Sequence, residues 1–134
     1  MSIEEEVRDW LAKWQELIND QNFDEARKLF SNDVVAFGSL STAMIGLQDL
    51  ETSQWRNVWG HTRDFQFASD PRIIELGEGV AIALTWSSLG TKTGSQDTYR
   101  RAGRCTLVLR RSAEGLVCCH SHFSMNPGTA PLQN

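Results

Sequence analysis

The spacing of apolar residues changes near Arg63, and this change limits the chain to one fold class. Apolar residues between Ile3 and Ile18 recur at helical intervals, which predicts a first helix ending near Asp20. A short second helix after Asn22 that includes Phe30 and is broken by Asn32-Asp33, a strand at 34–37 and a third helix at 47–59 follow. Beyond Arg63, strand patterns bounded by turn signals predict strands at 64–68, 72–76, 80–89, 98–111 and 116–124. This order predicts an α+β protein with helices packed on one side of an antiparallel sheet.

Composition and charge argue against several classes of protein. The 134 residues are 40% hydrophobic and 22% charged, which is typical of a single globular domain (1–134) and not of a disordered chain. No segment approaches the ~20 apolar residues of a membrane span, and the net charge of −4 argues against a nucleic-acid partner. The acidic N-terminus lacks the features of a secretory signal, and three cysteines suit no disulfide framework. We therefore expect a cytoplasmic protein. The run Asn126-Pro127-Gly128 predicts that residues 126–134 form an irregular tail.

The last two predicted strands form a hairpin whose register decides which residues can share a site. If residues 112–115 form its turn, Thr106 lies opposite Ser121 and Arg104 lies opposite Phe123. Neither face then has the polar pattern of a solvated surface, so we expect helices on one face and a second subunit on the other. A slip of one residue would reverse this partition. In this predicted register, one face carries Arg104, Thr106, Ser121 and Phe123, and the other carries Leu107, Leu109, His120 and His122.

Several segments, taken in order, resemble one superfamily. They are Phe30 to Phe37, the later Gly46, the strand from Tyr99 to Arg111, and the run His120-Ser121-His122-Phe123-Ser124. On these, the chain resembles the SnoaL-like, ketosteroid-isomerase-like proteins of the nuclear transport factor 2-like superfamily. A closer resemblance is to the association (hub) domain of calcium/calmodulin-dependent protein kinase II. It is carried by Arg110-Arg111, the same histidine-containing run and Ala130-Pro131-Leu132-Gln133.

The resemblance implies a cone-shaped fold, in which three N-terminal helices pack on a curved antiparallel sheet and leave a ligand pocket between them. It also implies homodimers formed through the convex sheet faces, and the hub relatives assemble further into rings. The hub's carboxylate-binding arginines correspond here to Trp86, Thr106 and Phe123, so no arginine is carried over. Arg104, on the same predicted face as Thr106, can still supply a positive charge to the pocket.

Steroid isomerisation by the mechanism of the resembling enzymes is not expected. Their aspartate base corresponds to positions near Phe37 and Gly38, where this chain has no carboxylate, and its single tyrosine, Tyr99, begins a strand. His122 could serve as a general base near neutral pH, but the sequence names no acid partner for it. A mixed set of Cys105, His120 and His122 has the residue types of a metal site. We expect local hydrogen bonds for these histidines instead, with no metal and no cofactor.

Two functions of different classes follow from these observations. The first is a small-molecule-binding protein for an apolar or carboxylate ligand, with a proton-transfer isomerase or cyclase as its enzymatic form. The second is a stand-alone oligomerisation module without catalysis. Both predict a homodimer or larger homo-oligomer through Leu107, Leu109, His120 and His122. The predicted ligand contacts are Trp14, Trp55, Trp86, Arg104, Thr106, Ser121 and Phe123.

Overall fold

The first helix has the boundaries and the buried face that the sequence predicts. The computed structural model describes residues 1–39, 41–92 and 94–128. Helix α1 (Ile3–Asp20) begins after Ser2, whose side chain accepts a hydrogen bond from the Glu5 backbone N–H at 3.2 Å. It ends at Gln21, which adopts a left-handed conformation with φ of 54°. The side chains buried along one face of α1 are Val7, Trp10, Leu11, Trp14, Leu17 and Ile18.

The region between α1 and the main strands differs from the prediction in two places. Helix α2 is only Phe23–Arg27, and strand β1 (Phe30–Phe37) begins four residues earlier than expected. The reason is that Phe30 already pairs with Cys118 of the last strand, and the Ser31 hydroxyl donates to the Cys118 carbonyl. The short strand β2 (Met44–Ile45) then pairs with β1.

The third helix is interrupted by one wider turn. It consists of α3 (Leu47–Leu50), a π-helical turn (Glu51–Trp55), α4 (Arg56–Val58) and a 3₁₀ turn (Trp59–His61). The sequence predicts a single helix over 47–59, which matches the extent but not the π-helical turn. Such turns occur often at functional sites, and this one carries the buried carboxylate of Glu51.

The remaining strands complete a curved sheet with helices on its concave side. They are β3 (Thr62–Phe67), β4 (Arg72–Leu76), β5 (Gly79–Thr91), β6 (Thr98–Ser112) and β7 (Gly115–Met125). The strand order is β2-β1-β7-β6-β5-β3, with β4 also paired to β5, and every pair except β1–β7 is antiparallel. The predicted α+β class and the predicted packing of helices on a curved antiparallel sheet are therefore confirmed.

The predicted register of the last hairpin is correct next to the turn and wrong beyond Cys119 of β7. Next to the turn, Leu109 pairs with Cys118 as predicted, but a bulge at Cys119 shifts the pairing, so that Val108 lies opposite His120. The extra residue reverses the facing of the rest of β7 relative to β6. Leu107 and Leu109 therefore face the helices with no exposed surface, and their predicted place in a subunit interface is wrong.

The same bulge moves two predicted pocket residues to the opposite side of the sheet. Thr106 pairs with His122, and Arg104 pairs with Ser124, on the convex face. The predicted location of Arg104 and Thr106 in the interior is therefore wrong, whereas His120 and His122 do point outward.

Within the described residues, no helix combines the length and the apolar character that crossing a bilayer requires. Residues 126–128 follow β7 without regular structure, as predicted. Residues 129–134, which include most of the predicted tail and the run from Ala130 to Gln133, lie outside the described part of the chain.

Candidate functional site

A small cavity lies between the third helix and the concave face of the sheet. Its volume is about 40 Å³. One water molecule needs ~10–15 Å³ in this measure, so the cavity has room for about three waters, far below the roughly 300 Å³ of a drug-sized pocket. Its lining residues come from α1, the third helix, β3 and β7: Trp14, Ile18, Gln54, Trp55, Trp59, Thr62, Phe65, Ser121 and Phe123.

The cavity is small because aromatic side chains fill most of the interior. Trp14 makes edge-to-face contacts with Phe30 and Phe123, with ring centroids 5.0 and 5.6 Å apart. Trp55 stacks on Trp59 at 4.8 Å. The structure therefore brings four predicted ligand contacts, Trp14, Trp55, Ser121 and Phe123, to one cavity, but the three aromatic ones also pack on each other or on neighbouring rings.

Trp86 has a different place from the one expected. Its ring packs on Phe65 and Phe123 at 5.7 and 6.0 Å, next to the lining but not part of it. Its indole N–H donates to the Arg104 carbonyl oxygen at 3.2 Å, so its polar atom is already paired.

Two polar atoms of the lining residues have no hydrogen-bond partner among the described residues. They are Nε1 of Trp14 and Oε1 of Gln54, both buried. Leaving such an atom unpaired costs about 1–3 kcal/mol, so a polar molecule that reaches it is favoured. Gln54 was not predicted from the sequence. The available signal was its spacing, four residues after Leu50, which places a polar residue on the apolar face of the third helix.

The buried carboxylate of the third helix, Glu51, is fully engaged. Glu51 is 6% exposed; its Oε1 accepts from Arg27 at 2.7 Å and its Oε2 accepts from Nε of Arg56 at 2.7 Å. The hydrogen bond from Arg27, supported by Arg56 and by both positive charges, holds the pKa of Glu51 below its ordinary value, although burial acts in the opposite direction. Arg56 also lies over the ring of Phe23, which stacks on Trp59 of the lining. Glu51 therefore positions the third helix and has no free oxygen for proton transfer.

The convex face of the sheet carries one transverse row of mostly apolar residues, here called the apolar row. Its members are paired from strand to strand as Ile45, Val35, His120, Val108, Ala81 and Ile74. Ile45 and Ile74, at the two ends, are 68% and 55% exposed. His120 Nδ1 lies 2.7 Å from the Val35 carbonyl oxygen, which can only accept, so this nitrogen carries the proton.

The next row of the convex face is polar. It pairs His122 with Thr106, Thr106 with Ala83, and Ala83 with Arg72. Arg104 lies beside this row, and together these residues border an open groove of about 560 Å³. Arg104, Thr106 and His122 thus come together outside the cone.

The mixed metal set is not assembled. Cys105 is 2% exposed on the concave face, whereas His120 and His122 lie on the convex face.

A sequence profile of the SnoaL-like domain matches residues 7–127, about nine-tenths of the chain. The chain belongs to the SnoaL-like domain family. Among curated proteins, no significant match to this SnoaL-like protein was found.

Solved structures agree with this assignment at the level of the fold. A nuclear transport factor 2-like superfamily protein from Salmonella enterica serovar Typhimurium is 16% identical, with a TM-score of 0.82 over 94% of this chain and 92% of that chain. A proposed calcium/calmodulin-dependent protein kinase II association domain from Xanthomonas campestris is 14% identical, with a TM-score of 0.81 over 96% and 91%. A proposed dehydratase of the same superfamily from Streptomyces avermitilis is 16% identical, with a TM-score of 0.77 over 90% and 94%.

At the position where the resembling isomerases have their aspartate base, this SnoaL-like protein has Phe37 and Gly38. Phe37 points to the convex face, where its ring contacts those of His120 and His122. Gly38 faces the third helix, and a Cβ atom added there would overlap the side-chain amide of Gln54. An acidic side chain at Gly38 would therefore displace Gln54 from the cavity.

Proposed function

We propose that this SnoaL-like protein binds a small neutral molecule in its interior cavity. The observation that carries the proposal is the pair of unpartnered polar atoms, Trp14 Nε1 and Gln54 Oε1, in a mostly aromatic lining. A ligand with one acceptor and one donor, such as an amide or an alcohol, would pair with both atoms. Its apolar part would contact Trp55 and Phe123.

Charge and volume define the ligand further. Neither a cation nor a carboxylate occurs among the nine described lining residues, so burying a charged ligand there would be costly. A cavity with room for about three waters accepts about four non-hydrogen atoms without rearrangement. The best affinity for such a ligand, at about −1.5 kcal/mol per atom, corresponds to a Kd of about 40 µM.

The same lining favours binding over proton transfer. General acid–base catalysis needs a titratable group within hydrogen-bonding reach of the substrate. The nine lining residues supply none, and both oxygens of Glu51 are held by Arg27 and Arg56. The proposal is therefore a binding function, without the isomerase or cyclase step that other proteins of this fold could perform.

The experiment compares acetamide with acetate, two molecules of this size that share a shape and differ in charge. The indole N–H signals of the tryptophans are followed by NMR at constant ionic strength. We expect acetamide to shift the Trp14 signal saturably and acetate to leave it unchanged. Gln54→Leu should abolish the effect, whereas Gln48→Leu, a matched change at an exposed position of α3, should preserve it. Equal responses to both molecules, or an unchanged response in Gln54→Leu, would contradict the proposal.

The apolar row favours a second candidate function, homo-oligomerisation through the convex face. A row that spans six paired positions and leaves Ile45 and Ile74 mainly exposed is more apolar than a solvated sheet surface needs to be. We expect light scattering to give the mass of at least two chains, and Val108→Arg, at the centre of the row, to give the mass of one. Ala113→Arg in the exposed β6–β7 turn is the control. A wild-type protein with the mass of one chain would remove this candidate.

A further inference from the structure

A polar groove crosses the convex face beside the apolar row, on the opposite side of the sheet from the interior cavity. It is bordered by Arg72 of β4, Arg104 of β6 and His122 of β7, and has a volume of about 560 Å³. Ala83 of β5 lies at its centre, because the pairing runs from Arg72 to Ala83 and on to Thr106. The small side chain of Ala83 leaves the space between the two arginines open.

The two arginines of the polar groove have unused charge and unused donors. Neither Arg72 nor Arg104 forms an ion pair within the described part of the chain, although five other arginines do. Arg104 donates from Nε to the Ser124 hydroxyl at 3.3 Å, which leaves both of its terminal nitrogens free of described partners. The hydroxyl groups of Thr85, Thr106 and Ser124 line the same groove.

The number of donors indicates the kind of anion. Two guanidinium groups, one imidazole and three hydroxyls exceed what the two oxygens of a monocarboxylate can accept. A phosphate group offers three terminal oxygens and up to two negative charges, and the planar fork of arginine fits these oxygens in pairs. One carboxylate, Asp70, also lines the groove and opposes an anion there. The remaining side chains are neutral or basic, in a protein whose net charge is −4.

We infer that the polar groove binds the phosphate group of a small molecule, either as free phosphate or as a phosphate monoester. Arg72 and Arg104 approach the group from opposite sides of Ala83, and the hydroxyls of Thr106 and Ser124 complete its hydrogen bonds. An organic substituent on the ester would lie toward Phe37, whose ring is 5.3 Å from that of His122. This site is independent of the interior cavity, so its test does not depend on acetamide binding.

The experiment is a calorimetric titration of the full chain with inorganic phosphate and with phenyl phosphate, against chloride at matched ionic strength. We expect saturable binding of phosphate that chloride does not reproduce. Arg72→Gln and Arg104→Gln should each raise the Kd about tenfold or more, because each removes a charge-assisted contact. Arg63→Gln removes the same charge at an exposed position outside the groove and should change the Kd by less than about twofold. Asp70→Asn should lower the Kd.

The outcomes distinguish a phosphate monoester from free phosphate and show whether the polar groove binds phosphate at all. Tighter binding of phenyl phosphate than of inorganic phosphate identifies a monoester site, and equal affinity identifies a site for the free ion. The inference is overturned if phosphate gives no more heat than chloride, or if Arg63→Gln weakens binding as much as the two groove variants do. It is also overturned if light scattering shows a dimer and the titration shows that this dimer binds no phosphate, because a second copy of the chain then covers the groove. The variants at Arg72, Arg104 and Asp70 should keep the wild-type melting temperature within a few degrees, because all three side chains are exposed. This melting temperature is measured before the titrations.

Discussion

Replacing Glu51 with glutamine tests the role of the π-helical turn in holding the third helix. The carboxylate of Glu51 is bracketed by Arg27 of α2 and Arg56 of α4, with oxygen-to-nitrogen distances of 2.7 Å on both sides. Glu51→Gln keeps the shape of the side chain but removes its charge, so both hydrogen bonds lose their ionic component. The substitution also turns one acceptor into an NH₂ group that faces a guanidinium.

The size of the effect follows from the exposure of the two arginines. A hydrogen bond to a charged group contributes about 1.5–3 kcal/mol, and breaking a fully buried ion pair costs about 3–5 kcal/mol. Here the side chains of Arg27 and Arg56 are 33% and 52% exposed, so water partly replaces the lost carboxylate. We therefore expect about 1 kcal/mol for each contact and about 2 kcal/mol in total. At about 3–4 °C per kcal/mol for a chain of this length, the melting temperature should fall by about 7 °C.

The assay is thermal unfolding at neutral pH followed by circular dichroism. Glu25→Gln is the matched control, because Glu25 pairs with Lys28 at 3.0 Å on the exposed side of α2, where both side chains are largely solvated. Exposed pairs of this kind contribute about 0–0.5 kcal/mol, which corresponds to less than about 2 °C. If Glu51→Gln lowers the melting temperature no more than Glu25→Gln does, the clamp adds no stability and the reasoning is refuted.

The same carboxylate predicts the direction of the pH dependence. Its folded-state pKa is lowered, so the unfolded chain, with an ordinary value of 4.5, takes up the proton first as the pH falls. The stabilisation by Glu51 is therefore fully present above about pH 4.5 and is lost as the pH falls through the folded-state pKa. The difference in melting temperature between the wild type and Glu51→Gln should shrink below pH 4.5, and a difference that grows there would contradict this assignment.

Three further predictions concern single positions. Gly38→Ala should displace the Gln54 amide and so abolish acetamide binding, as measured by NMR. Because this amide is the flexible end of a side chain, chemical unfolding should show a loss of less than about 1 kcal/mol in the free energy of unfolding. Gly103→Ala should lower the free energy of unfolding by more than about 2 kcal/mol, because the added Cβ would overlap the Ser124 carbonyl oxygen and lie 2.7 Å from the Trp86 ring. Unfolding in urea close to that of the wild type would argue against this packing. Burial raises the pKa of the Cys105 and Cys118 thiols, so iodoacetamide should modify the half-buried Cys119 alone in the folded protein and all three cysteines in urea, as read by mass spectrometry.

The elements of the fold could be predicted because each has a strong local signal. The apolar stripe of α1 and the capping side chain of Ser2 fix the first helix, and turn residues separate the long strands. The sequence predicts the start of β1 four residues too late, because its first half, from Phe30, is held by parallel pairing with β7, a contact almost 90 residues away in the chain. Local patterns contain no information about such a contact.

The register of β6 and β7 could not be predicted because both faces of the hairpin carry apolar and polar residues. A hydrophobic pattern specifies register only where one face is clearly apolar and the other clearly polar. Cys118 and Cys119 are adjacent residues of the same type, so nothing in the sequence distinguishes a regular pair from the bulge that Cys119 forms. The extra residue then decides the facing of every later residue of β7.

This single bulge changes the chemistry assigned to both sides of the sheet. With the regular register, Arg104 would face the cone, and a carboxylate would be a reasonable interior ligand. With the bulge, Ser121 and Phe123 face the cone together with Leu107, so the described lining has no charge and favours a neutral ligand. Arg104 instead joins Arg72 and His122 outside, where open space and water make an anion acceptable. The residues predicted for one pocket therefore lie on two opposite faces of the sheet, for which we propose opposite ligand preferences. Testing acetamide against acetate and phosphate against chloride probes each proposed preference at its own face.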